Sequence, residues 1–309
     1  GVMIIHRTPL LPYHKGSTTI KEVTSMQEAL EVIHGATGAD GHGVTVALLD
    51  TGICPRKDFE GRIRLFRDFV EGHQEPYDDN GHGTHVAGIC GGDGALSQGR
   101  YRGVAPGCYF VSLKILDQWG HGTAESAFAA LKWLRCHALL YGIRVVNLSL
   151  GTDDPALRYP LLEIVQDLWE MGLVVVAAAG NDGRKGITAP GLCRRILTVG
   201  AMEDRVLFPF RENGLLYYKP DLFAPGENII SCKASQFVFD EKRLRQEREV
   251  GEYYVKMSGT SMATPMVSGA CAQILGQEPY LTADEVKERL VQFASPRRLL
   301  NVQAALNGK

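Results

Sequence analysis

The chain reads as an α/β protein of three layers, with a mainly parallel central sheet flanked by helices. Two observations predict this. Short, β-branched apolar runs recur from about Val44 onward, and segments with helical apolar spacing separate them. A third agrees: 309 residues at 45% hydrophobic and 22% charged can bury one large core without disulfide staples.

Taken in order, residues 1–25 precede the first strand and read as an N-terminal arm or inhibitory pro-segment ahead of a main domain spanning 26–309. VTVALLD (44–50) is continuously apolar, as a strand covered on both faces should be, and ends at the turn-forming Thr51-Gly52. CYFVSLKIL (108–116), RVVNLSLG (144–151), LVVVAAAGN (173–181) and RRILTVGAM (194–202) read the same way. Between them, helical spacing puts Ala127, Leu131, Leu134 and Ala138 on one face of 123–142, and Leu162, Val165 and Leu168 on one face of 160–172. SGTSMATP (258–265) is a strand-to-helix turn with Pro265 placed in the first helical turn. Thr282 and Glu285 form a capping box before a helix with Val286, Leu290 and Phe293 inward. The charged stretch 233–252 breaks the alternation and reads as a solvated surface flap.

A formal net charge of -2 gives no global field to gather nucleic acid or an acidic membrane. The apolar patch near the N-terminus is too short to span a bilayer and lacks the pattern of a signal peptide. Seven scattered cysteines, with no CxxC or Cys/His ligand spacing, point to a reducing compartment and a cytoplasmic location.

Ligand and catalytic sites in parallel sheets gather at the carboxyl ends of strands, so the reactive residues there matter most. Asp50 ends LLD; alone it is a turn former or a catalytic carboxylate. His82 and His85 lie in NGHGTHVAG (80–88), where glycines let the backbone present the His82 ring; the spacing is not that of a zinc-binding HExxH, and His85 reads as support. Ser261 is either a helix N-cap or a nucleophile near the positive end of a helix dipole. A serine hydroxyl needs a base within hydrogen-bond reach, and a carboxylate that fixes the base's tautomer completes the set.

Four blocks, LLDTGI around Asp50, NGHGTHVAG around His82, AAAGND around Asn181 and SGTSMATP around Ser261, resemble in content and order those of subtilisin-like serine proteases over residues 40–305. The resemblance implies a subtilisin-like fold and a serine endopeptidase with Asp50, His82 and Ser261 as catalytic triad. It gives Asn181 as the side-chain donor of the oxyanion hole. It implies that Gly120, His121 and Gly122 pair with an extended substrate. Ser149, Leu150, Gly151, Ala178, Ala179 and Gly180 would wall the primary specificity pocket, small enough for a large apolar residue before the scissile bond. Substrates are then peptides or proteins, and no cofactor is required for chemistry.

Departures point within the family towards the bacterial intracellular, AprX-type branch. The calcium loop of secreted relatives is replaced by GGDGALSQGRYRGVAP (91–106). Asp58 matches a calcium ligand of those relatives, which leaves structural calcium possible, but the usual loop does not support it and no metal is assigned. FPFRENG (208–214) stands where a serine-rich segment is usual. Leu10, Leu11, Pro12 and Tyr13 resemble the N-terminal motif of intracellular subtilisins, in which an N-terminal extension crosses and blocks the cleft.

Overall fold

The computed structural model describes residues 2–5, 25–181, 186–236 and 248–308. Strand β1 (Val2–Ile5) comes first, then helix α1 (Met26–Val32), capped by the Ser25 side chain. Strands β2 (Thr45–Asp50) and β3 (Ile63–Asp68) precede helix α2 (His82–Gly91) and strand β4 (Tyr109–Lys114). The short β5 (His121–Thr123) runs directly into α3 (Ala124–His137), and β6 (Ile143–Leu148) is separated from β7 (Leu150–Gly151) by Ser149 alone.

Helix α4 (Pro155–Glu170) leads to β8 (Val174–Ala178) and β9 (Leu197–Ala201). It begins five residues earlier than its apolar spacing suggests, because Asp154 caps it and Pro155 occupies the first helical position, where no N–H is needed. Strands β10 (Phe208–Glu212) and β11 (Leu215–Lys219) make a hairpin from the segment expected as a loop. Asn213 (φ 49°) and Gly214 (φ 80°) supply the left-handed residues of its tight turn. After β12 (Leu222–Ala224) and β13 (Ile229–Cys232) come β14 (Glu249–Val250) and β15 (Tyr254–Met257). The end of the charged stretch expected as a flap is strand, since β14 pairs with β15. Helices α5 (Thr260–Gln277), α6 (Ala283–Gln292) and α7 (Val302–Asn307) close the chain. The capping box of Thr282 and Glu285 is present.

Seven strands form one parallel sheet in the order β12-β9-β8-β6-β2-β4-β3. Strands β2 and β8 are buried at every residue, as their unbroken apolar runs require. Helices α2 and α5 pack together, with α5 on β6, β8 and β9; α3 and α4 form a second pair, with α4 on β8. Strand β2 sits where the order reverses, β4 and β3 to one side and β6, β8 and β9 to the other, so Asp50 at its end faces the crevice such a reversal opens.

The arm supplies the largest surprise. Strand β1 lies antiparallel between β5 and β7: Met3 stands opposite Gly122, Ile4 opposite both His121 and Gly151, and Ile5 opposite Leu150. Met3 is buried at 2% exposure while Ile4 points out at 40%. Leu10, Leu11, Pro12 and Tyr13 lie outside the described residues.

Candidate active site

Asp50 reaches the site because β2 ends there, and His82 because it opens α2 just across the loop. His82 Nδ1 lies 2.7 Å from Asp50 Oδ1, which also accepts the Thr51 N–H at 2.7 Å. A second carboxylate, not singled out by sequence, holds this geometry. Asp78 accepts the Thr51 hydroxyl at 2.8 Å, the Gly81 N–H at 2.8 Å, and the Thr84 N–H and hydroxyl at 2.9 and 2.6 Å. It thereby satisfies donors at the start of α2, whose N-cap Gly81 has no side chain, together with Asn80 Oδ1 on the His82 N–H at 3.1 Å and Thr51 Oγ1 on the Gly83 N–H at 2.9 Å. Gly83 is obligatory here: a Cβ would collide with the Gly52 carbonyl oxygen. Beneath the strand end, the fully buried Lys114 donates to Thr51 O, Leu116 O and Asp79 Oδ1 at 2.7–2.8 Å. The sequence signal for these residues is slight: an acidic pair just before the histidine and one lysine inside an apolar strand.

Ser261 is the second residue of α5, so it is not the N-cap; Gly259, at φ 140°, fills that position. Pro265 correspondingly lies in the second turn, not the first. Lacking an N–H, it leaves the Ser261 carbonyl without its intrahelical partner. The Ser149 hydroxyl donates to that carbonyl at 2.9 Å, and Ser261 Oγ donates to Ser149 O at 2.8 Å. Asn147 Nδ2 donates to Ser149 Oγ at 3.0 Å, and Ser268 Oγ donates to Asn147 Oδ1 at 2.7 Å, tying β6 to α5 around the nucleophile. His82 Nε2 and Asp50 Oδ2 are buried without a hydrogen-bond partner among the described residues. Both His82 and Ser261 are at 0% exposure. The hydroxyl is therefore parked on Ser149 and must turn to reach the ring, a looseness common in catalytic sites without substrate.

Asn181 follows the end of β8. Its Oδ1 accepts the Thr260 N–H at 2.8 Å and the Thr260 hydroxyl at 3.1 Å, and Nδ2 is buried without a partner among the described residues. An oriented amide with unused N–H donors costs desolvation free energy unless an acceptor arrives. Behind this loop Glu203 accepts the Gly226 N–H at 3.0 and 3.3 Å, and Gly226 O accepts the Gly259 N–H at 2.7 Å. Burial pushes the Glu203 carboxyl up to about 7 against the pull of the amides. Its contribution to stability is thus fully present below the ordinary carboxylate range and fades as pH rises towards 7.

The expected substrate walls fall together. His121 and Gly122 are on β5 with Gly120 at φ 77° in the preceding turn; Leu150 and Gly151 form β7 after Ser149. Ala178 ends β8, and Ala179 and Gly180 lead on to Asn181. His85 does not face His82; its Nε2 meets the carbonyls of Ile229 and Val255 at 2.9 and 3.1 Å, a structural support. Among the described residues, no group of three or more His, Cys, Asp or Glu is placed to hold a metal ion.

A carboxylate-held histidine, a serine at a helix start and an oriented amide whose Nδ2 lacks a partner among the described residues thus stand in the arrangement that the four sequence blocks led one to expect. The chain belongs to the subtilase family, whose model (peptidase S8) matches residues 41–307. It is 42% identical over 293 residues to the serine protease AprX of Bacillus subtilis (strain 168), which covers 86% of this chain and 64% of that protein. The chain thus spans less than two thirds of that relative's length. Subtilisin BL of Lederbergia lenta is 34% identical over 262 residues, covering 84% of this chain and 86% of that one. Among solved structures, a cold adapted subtilisin-like serine proteinase superposes with a TM-score of 0.67 at 29% identity, covering 86% of this chain and 91% of its own. Fervidolysin from Fervidobacterium pennivorans, at TM-score 0.72 and 22% identity over 100% of this chain and 51% of its own, shares the fold.

Proposed function

We propose that the protein hydrolyses peptide bonds of peptides and proteins through an acyl-enzyme, with broad specificity and a preference for large apolar residues before the scissile bond. The observation that carries this reading is the convergence of the Asp50–His82 bond of 2.7 Å with the orphaned Asn181 amide at the start of the Ser261 helix. The Ser261 hydroxyl leaves Ser149 O, gives its proton to His82 Nε2, and its oxygen attacks the substrate carbonyl carbon. Asn181 Nδ2 and the Ser261 N–H receive the oxyanion. His82 then protonates the leaving amine, and a water deprotonated by His82 releases the acid product. The small, non-acidic walls Ser149, Leu150, Gly151, Ala178, Ala179 and Gly180 support the apolar preference. All seven cysteines are free thiols, which supports a reducing compartment.

A fluorophosphonate probe tests the reading. Ser261 should label covalently, and Ser261→Ala should not; a folded wild type that never labels, even with the arm removed, would overturn it.

Strand β1 supports a finer element, self-inhibition by the arm. Edge pairing between β5 and β7 is how an extended peptide would add to this cleft, so β1 and substrate compete for one place. The reading assigns to Val2–Ile5 the blocking role that the sequence suggested for Leu10, Leu11, Pro12 and Tyr13. Met3→Glu sets a charge where 2% of the side chain is exposed and should expel the strand, raising the initial labelling rate at least about tenfold, since the charge costs several kcal/mol to bury. An unchanged rate, also in a chain lacking residues 1–17, refutes self-inhibition.

A further inference from the structure

Asp58 occupies a position that is a calcium ligand in secreted relatives, and it is buried at 0% exposure. Its carboxylate is ringed by hydrogen donors. Oδ1 accepts the Leu96 N–H at 2.9 Å; Oδ2 accepts the Tyr254 O–H at 2.9 Å and the Cys232 S–H at 3.1 Å. Arg56 adds an ion pair and no hydrogen bond: its Nη2 stands 3.5 Å from Oδ2, while its Nη1 donates to the Lys233 carbonyl at 2.5 Å and its guanidinium lies over the rings of Tyr254 and Tyr253 at 5.3 and 6.0 Å.

Nearby carbonyl oxygens are claimed as well. Arg62 donates to Asp58 O at 2.5 Å, Gly91 O at 2.6 Å and Cys108 O at 2.9 Å. In the adjoining loop, Asp93 Oδ1 accepts the Ala95 N–H at 2.8 Å, and the Asp93 N–H donates to Asp58 O at 3.1 Å.

A calcium ion collects about six to eight oxygen lone pairs and leaves no room for hydrogens aimed at the same oxygens. Here an N–H, an O–H and an S–H donate to one carboxylate and a guanidinium offsets its charge, which is the opposite donor set. The residues present do not fit calcium.

We infer that Tyr254 and Cys232 as hydrogen donors, with Arg56 as ion-pair partner, take over at Asp58 the position held by calcium in secreted relatives, locking the loop after α2 with a clamp built from side chains. The clamp joins segments far apart in sequence: the turn at 56–59, the loop at Leu96, and strands β13 and β15. Through β13 it also braces α2, because a Cβ on Gly88 would collide with Ser231 Oγ. Breaking a buried ion pair from one side leaves an uncompensated charge, whereas losing one hydroxyl removes one charge-assisted bond.

Thermal unfolding with calcium titration tests this on the full chain, without reference to activity. Wild type should bind no calcium at Asp58, and millimolar calcium or excess chelator should shift its Tm by less than about 1 °C. Tyr254→Phe should lower Tm by about 4 °C, and Arg56→Met by about 10 °C, in either medium. Cys232→Ser, which keeps a donor, should stay near wild type. Calcium uptake that Asp58→Asn abolishes would overturn the inference, as would a Tyr254→Phe variant of unchanged stability. Uptake that Asp58→Asn leaves intact reports an ion elsewhere and, with Tyr254→Phe still weakened, upholds it.

Discussion

Replacing His82 by alanine is expected to lower kcat by about a million-fold, the size of loss found when a triad member is removed from a subtilisin. The reason lies in the 2.7 Å contact with Asp50. In the proposed mechanism that bond would hold the proton on Nδ1 and leave the Nε2 lone pair to take the Ser261 proton. Without the ring the serine attacks as a neutral alcohol, and the leaving amine has no acid. Asp50→Asn should cost less, about ten-thousand-fold, because the ring survives in the wrong tautomer. Steady-state kinetics on a chromogenic peptide check both. A double variant no slower than His82→Ala alone would confirm that the two act as a unit; a His82→Ala enzyme within tenfold of wild type would remove the triad assignment.

Asn181→Ala should lower kcat about 100- to 1000-fold while leaving KM nearly unchanged. Asn181 Nδ2 has no partner among the described residues, so the donor is held ready at the expense of stability and satisfied only when negative charge develops. Thr260 fixes the amide's orientation through two bonds to Oδ1, which keeps the amide from flipping and makes preorganisation the source of the effect. An equal rise in KM with unchanged kcat would place Asn181 in ground-state binding instead.

Much of this site was legible because its parts are local. Asp50 and Asn181 follow apolar runs, and strand ends at a winding reversal are where a parallel sheet exposes side chains. The glycines around His82 and Ser261 announce tight backbone, and Gly83 and Gly259 do need it. What escaped the sequence is what depends on distant partners. Asp78 and Lys114 look like ordinary charges until the fold buries them under Thr51. The strand nature of Val2–Ile5 depends on edges supplied by residues 121–123 and 150–151, so no local pattern could reveal it. Pro265 was placed one turn too early because helix starts are set by capping geometry, here the positive φ of Gly259, more than by composition. The substrate walls came from resemblance alone; the fold groups them but adds no distance to a substrate.

Pro265 has a consequence in time as well as in space. The carbonyl it leaves open is met by Ser149, more than a hundred residues earlier in the chain. A newly made polypeptide can therefore coil α5 without fixing the backbone at Ser261. The bond from Ser149 to the Ser261 carbonyl exists only where that helix meets the end of β6. The helix alone therefore cannot satisfy the backbone beside Ser261; only contact with the sheet does.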